Sequence, residues 1–314
     1  MVLLKPHLLS FQFQCNSMKD RWLRSGWVLV GLAVLLSGCV SFVQPEGPKE
    51  WVAWKEARRE SIVGDQGWTT VVALQWLQEG TNRVELPEPT APRWVGWMVR
   101  HGPKVEFTAI DGIAVKRENQ TTVDGPVQTD GDGVRKPDVL SWGTFRFFVI
   151  ERGNRLGIRI RNTEAQARRV FSGIQCVPYD PAWKIEARFE PSATPTYLEI
   201  QDVTGGTRRE RVPGRLCFQH EGQAVCLEAL WDEETQDYFV LFRDRSSGGS
   251  TYGSGRFLHV AREDANGRTI MDFNYAYNPP CAFTPFATCP LPPRHNWLPF
   301  AVPAGELMNQ KGHP

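Results

Sequence analysis

The spacing of apolar residues changes once along this chain. From Glu50 to Ile62, Trp51, Trp54, Ala57 and Arg58 recur at i, i+3, i+6 and i+7, which predicts a helix carrying two indole rings on the face that packs against the body. Beyond Gly67 the period shortens to that of strands. Val71–Leu74, Trp94–Val99, Val105–Ile110, Ile113–Lys116, Phe145–Ile150 and Ile158–Ile160 are short runs rich in Val, Ile, Phe and Trp, broken by Gly, Asp and Pro. Few later stretches hold a helical period of useful length. The pattern therefore predicts a mostly β protein: an N-terminal helix, a first β-sandwich, and a second β-sandwich or barrel unit. Turns are expected at Gln78–Thr81, Asp202–Gly206, Glu221–Gly222, Ser246–Gly249 and Asn266–Gly267. The last is a strong hairpin signal that would join Arg256–Ala261 to Thr269–Phe273. Simple alternation puts Trp94 and Trp97 on opposite strand faces, leaving one for contact with a partner.

The amino end reads as a targeting segment. Lys19, Arg21 and Arg24 precede an apolar stretch, Trp27–Leu36, and Leu36-Ser-Gly-Cys39 follows it. Ten apolar residues are too few to span a bilayer, where about 20 are needed, and they suit a cleaved signal. The ending is similar to a bacterial lipobox, in which Cys39 becomes the lipidated first residue; an uncleaved anchor or an ordinary signal with a chance Cys is the alternative. Met18 is a second candidate start. The expected organisation is then a signal over 1–38, a lipidated tether over 39–48, the helix and first β unit over 49–150, the second β unit over 151–306, and a tail over 307–314. The expected location is the cell envelope, lipid-anchored on the periplasmic side of the outer membrane, with the lipid on Cys39 as the link to the membrane.

Charge narrows the partners. The whole chain carries a formal charge of +1, and removing residues 1–38 leaves 32 basic against 34 acidic residues. A near-neutral chain without a dense Lys/Arg stripe has no footprint for nucleic acid. No cofactor or metal is implied. Oligomeric state is not legible.

Candidate chemistry concentrates in the run from Asp272 to Pro293, which combines repeated Pro with two Cys, two Asn, an Asp and several aromatics. Pro fixes φ and removes a donor, so such a segment is stiff without ladders and can pin polar side chains at low entropic cost. Arg256, Asp272, Asn274, Tyr277 and Asn278 form the ligand-binding candidate. If the Asn266–Gly267 hairpin extends, Phe257 faces Ala276 and Arg256 comes near Tyr277. A guanidinium beside a carboxylate and a phenol can clamp a small polar or anionic ligand; the same groups can instead form an internal network that satisfies the loop's own backbone. Asp272, Cys281 and His295 are the weaker catalytic candidates: Asp272 as acid/base of a hydrolase with Arg256 stabilising charge, or Cys281 as a nucleophile with His295 as base. Zinc held by Cys281, Cys289 and His295 has the wrong spacing for familiar fingers. Arg159 and Arg161 share one face of their strand, and a solvated face is expected for them.

Five cysteines follow Cys39, an odd number, so at least one stands outside any set of intrachain pairs. With Glu221–Gly222 as a two-residue loop, counting outward sets Cys217 opposite Cys226 in a non-hydrogen-bonded pair whose Cα atoms are about 4.5 Å apart. That spacing is compatible with a bridge, with two buried thiols as the alternative. Cys281 and Cys289 could staple the Pro-rich run, leaving Cys176 as a core thiol.

Motifs spread through the chain extend the picture. Gly67-Trp-Thr-Thr-Val-Val-Ala-Leu-Gln-Trp-Leu-Gln-Glu-Gly80, Gly157-Ile-Arg-Ile-Arg161, Phe171-Ser-Gly-Ile174, Pro178-Tyr-Asp-Pro-Ala-Trp183, Thr251-Tyr-Gly-Ser-Gly-Arg-Phe-Leu258, the Asp272–Pro293 run and Ala304-Gly-Glu306 together resemble the bacterial and archaeal family known as domain of unknown function 1684. The resemblance spans roughly residues 50 to 306 and carries no established reaction. Asn162 departs from it, standing where the family tends to show an acidic residue. The order of turns and strands over 67–150 also resembles a forkhead-associated sandwich. That resemblance is one of shape: Thr81-Asn-Arg-Val-Glu85 lacks the Gly-Arg pair and no Ser-x-x-His follows, so phosphopeptide reading is not implied.

Overall fold

The computed structural model describes residues 47–88, 93–118, 123–131 and 133–308. Among them, no helix is long and apolar enough to cross a membrane. α1 (Lys49–Val63) is rich in Lys, Glu, Ala and Arg, all strong helix formers. It seats Trp51 and Ile62, both fully buried, against the body. The Trp51 indole N–H donates to the Asn274 carbonyl at 2.9 Å. From the same helix Arg58 donates to the Glu306 carboxylate and the Asn278 carbonyl, which ties the helix to the end of the fold. The chain then turns so tightly that a Cβ at Gly67 would stand 2.2 Å from the Ile62 carbonyl oxygen. Thr69 and Thr70 donate their hydroxyls to the carbonyls of Ile62 and Gly67, which fixes the position of Trp68.

The first β unit comprises β1 (Val71–Trp76), β2 (Gly80–Leu86), β3 (Arg93–His101), β4 (Lys104–Ala109), β5 (Lys116–Arg117), β6 (Gly125–Val127), β7 (Leu140–Trp142), β8 (Phe145–Arg152) and β9 (Arg155–Asn162). One sheet has the order β1-β9-β8-β7-β5 and the other β2-β3-β4-β6. Their alternate residues, among them Val84, Met98, Phe107, Phe147 and Ile158, meet in a shared core, which makes a β-sandwich. Two expectations change here. The division at residue 150 falls inside β8, and β9 pairs with both β8 and β1, so the sandwich runs on to Asn162. Trp94 and Trp97 share a face: Val84 pairs with Gly96 while Glu85 pairs with Trp94, so one extra residue is inserted on β3. Such a bulge re-aims the side chains beyond it, and the two rings meet edge to face at 4.9 Å.

The second unit is one six-stranded antiparallel sheet, curled into a half-barrel, from β10 (Lys184–Gln201), β11 (Thr207–His220), β12 (Gln223–Asp232), β13 (Asp237–Phe242), β14 (Arg256–Val260) and β15 (Arg268–Asp272), in the order β14-β13-β12-β11-β10-β15. Its inner face packs Leu216, Leu227, Val240, Leu258 and Met271 around Phe273. Glu221 and Gly222 make the two-residue loop with φ of 49° and 77°; His220 pairs with Gln223, Cys217 with Cys226, and the two sulfurs are bonded at 2.05 Å. The expected β14–β15 hairpin does not form. β14 pairs with β13 and β15 with β10, placing them at opposite ends of the sheet. The Asp264 carboxylate accepts from the N–H groups of Asn266 and Arg268, so the turn closes on itself rather than starting a ladder. Curling brings the sheet's ends close enough for the Thr269 hydroxyl to reach the Ala261 carbonyl.

Candidate functional site

The Pro-rich run lies between sandwich and half-barrel. Cys281 and Cys289 are joined, and with Ala287 they pack on Leu241 and Phe257 of the outer face of the six-stranded sheet. The Thr284 hydroxyl donates to the Val71 carbonyl of β1 at 2.9 Å. Further on, Pro290 bridges Asp202 and Leu291 donates to the Gln201 carbonyl, so both ends of the stapled segment are fixed. Cys176 stands outside both disulfides and bridges Glu306.

The five residues expected to converge are divided among separate networks. Arg256 is fully buried and paired with the equally buried Asp244 at 2.8 Å; it also donates to the carbonyls of Val302 and Ala304. Burial lowers its pKa, and Asp244 opposes that shift. Asp272 accepts instead from the Tyr179 hydroxyl at 2.9 Å and from the Asn274 side chain at 2.8 Å. Burial, then that hydrogen bond, pushes the Tyr179 phenol up to about 12. Asn274 is buried and holds both the N–H and the carbonyl of Asp180. Asn278 accepts nothing from Arg256; its N–H donates to Glu306 and its side chain to the Leu307 carbonyl. Phe257 bridges Tyr277, one residue beyond the expected Ala276. The reason is the missing hairpin: the expected approach of Arg256 to Tyr277 follows from extending a β14–β15 ladder, whereas β15 pairs with β10 and β14 with β13. Cys281 is oxidised and so offers no thiolate, while His295 sits by Glu228 at 3.2 Å. The proposed Cys281–His295 pair is absent.

Tyr277 belongs to a third network. His259 bridges the Asp237 carboxylate (Nδ1, 2.8 Å) and the Tyr277 hydroxyl (Nε2, 2.9 Å). Arg58 lies over the phenol ring at 4.6 Å, and burial raises the phenol's pKa, holding it protonated. These contacts make Arg58, Tyr277, Asn278 and Glu306 a clamp joining helix, loop and C-terminal segment.

What the strand pattern did not single out is a cleft of about 240 Å³ lined by Trp68, Arg152, Arg159, Arg208, Phe239, Phe257, Thr288 and Cys289. β9 is buried on both faces. Ile158 and Ile160 enter the sandwich core, while Arg159 points the other way, toward the half-barrel, and is 3 % exposed. Arg159 was expected on a solvated face; packing of the second sheet and the Pro-rich run over that face removes the solvent. Its guanidinium reaches the Thr288 hydroxyl at 3.3 Å and the Trp68 ring at 5.3 Å, and its Nε has no hydrogen-bond partner. Arg152 and Arg208 are matched by Asp130 at 2.8 Å and Glu210 at 2.7 Å. Among the described residues, no carboxylate comes within ion-pair distance of Arg159. Burial first, then the Arg152 charge, pulls its pKa down to about 9, with Asp130 opposing from farther away. Arg161 is lowered too, to about 10, by burial. The only sequence signal was an Arg at the centre of an apolar strand, Gly157-Ile-Arg-Ile-Arg161.

These elements define a β-sandwich joined to a curled six-stranded sheet, with a cationic cleft where a stapled loop closes over both. The model of a family of proteins of unknown function, DUF1684, matches residues 169–307 of the chain. The chain is similar to an uncharacterized protein of Haloarcula marismortui, known from a solution NMR structure, with 32% identity over 46% of this chain and 80% of that one, and a TM-score of 0.39. No curated protein matches the chain. Arg208, Phe239, Phe257 and Thr288 fall within the family span, whereas Trp68, Arg152 and Arg159 precede it.

Proposed function

We propose that this protein is an envelope lipoprotein that binds a small anionic ligand in the cleft around Arg159. The observation that carries the reading is the buried guanidinium without an ion-pair partner. A charge taken out of water is costly unless it is paired, and the partner groups Arg159 does have are neutral. An anion bridging Arg159, Arg152 and the Thr288 hydroxyl would supply the charge and accept the fork of N–H donors. The disulfide of the Pro-rich run supports the same reading, because it fixes Thr288 before the ligand arrives.

The test is thermal unfolding of the purified protein in phosphate, sulfate and acetate, against chloride at equal ionic strength. A ligand at about a hundred times its Kd should raise Tm by roughly 5–10 °C, and Arg159→Met should abolish the rise. If none of the three anions outperforms chloride, the reading is wrong.

Anchoring rests on Leu36-Ser-Gly-Cys39, which lies outside the described residues. Cys39→Ser should move the protein from the membrane fraction to the soluble periplasm. Retention of the variant in membranes would refute a lipid on that sulfur.

A further inference from the structure

We infer that the ligand is an organic acid with a compact apolar body, most simply an aromatic one, rather than an inorganic anion; this rests on the anion reading above. Beside the charge, the cleft presents three aromatic rings. Phe257 is buried; Trp68 and Phe239 are only half-buried, and both pack on the cluster that contains Phe257 and Cys289. Phe239 meets Phe257 edge to face at 5.0 Å, so the two form one angled wall. Trp68 lies against the Arg159 guanidinium itself. Ring and charge are therefore adjacent, and an acid group held at Arg159 would direct whatever carries it along aromatic surface. Pro280 and Pro290 add apolar lining without backbone donors.

A site for phosphate or sulfate alone needs donors on every side. This one sets a few donors beside aromatic rings, the arrangement of small-molecule pockets in which few polar groups set orientation and apolar walls supply contact. Size sets the scale. The cleft's volume is about 240 Å³. That accommodates a carboxyl or phosphoryl group with a single ring or a short branched chain.

Calorimetric titration of the full chain with acetate, inorganic phosphate, benzoate, phenyl phosphate and benzamide separates the possibilities. Each apolar CH₂ buried is worth about fourfold in affinity, so benzoate or phenyl phosphate should bind at least about tenfold more tightly than acetate or phosphate. Whichever of the two wins identifies the acid group. Benzamide, with the ring but no charge, should not bind detectably. Phe239→Ala should remove most of the ring's advantage, narrowing the ratio of benzoate to acetate affinity to about twofold; Phe239→Leu serves if the Ala variant misfolds. Equal binding of benzoate and acetate would overturn the apolar-body assignment while leaving the anion site intact. Absence of binding by all four anions would overturn both.

Discussion

Replacing Arg159 by Met will stabilise the ligand-free protein by about 1–3 kcal/mol, an inversion of what a buried-residue substitution normally does. The side chain projects from the middle of β9, between Leu74 of β1 and Phe148 of β8, its register partners. Met is close in length and apolar, so it can follow the same path without leaving a large void. What it removes is a charge whose transfer from water is offset by a hydroxyl at 3.3 Å, an indole face and the Asp130 charge beyond ion-pair distance. The denaturation midpoint in urea should rise with an unchanged m-value, which marks a stability change rather than a changed denatured state. The same variant should have lost its response to anions. A loss of stability above about 1 kcal/mol would show that the guanidinium is compensated within the protein, and the ligand reading would lose its main support.

Much of the architecture could be read from local signals. The α1 face was legible because Trp51 and Trp54 fall on one helical stripe, and the Cys217–Cys226 juxtaposition because a two-residue loop fixes register for the whole hairpin. What was not legible depends on events without a local mark. A single inserted residue on β3 turns Trp94 and Trp97 to the same side. Asn266–Gly267 carries the composition of a hairpin, yet closure of a curled sheet gives β15 a better partner in β10. The candidate site failed for that reason: Asp272, Arg256 and Tyr277 are near in sequence logic but each is satisfied in its own network. Arg159 shows the complementary difficulty. Alternation reveals that it faces away from Ile158 and Ile160, but whether that side meets water or a second sheet is decided by residues more than a hundred positions away, at Thr288 and Cys289.

Arg256→Met should act in the opposite direction and cost about 3–5 kcal/mol. The length and chemistry of the substitution are the same as at Arg159, and both guanidiniums are buried; the difference is Asp244. That carboxylate is fully buried with Arg256 at 2.8 Å, and removing the cation leaves it a charge without its ion-pair partner. The carbonyls of Val302 and Ala304 lose their donors at the same time, and with them goes the tie that brings the C-terminal segment, and Glu306 behind it, onto the sheet. A second substitution isolates the charge term. Asp244→Asn keeps an acceptor for the Ser246 N–H, which donates to Asp244 at 2.7 Å, but removes the carboxylate charge. The double variant Arg256→Met with Asp244→Asn should therefore be more stable than Arg256→Met alone, and the double-mutant cycle should give a coupling of about 1–3 kcal/mol. Strict additivity would mean that the Asp244 charge contributes nothing and that packing alone sets the cost. Because Met is the replacement at both positions, opposite signs at Arg159 and Arg256 would tie the presence or absence of an internal counter-charge directly to the measured stability.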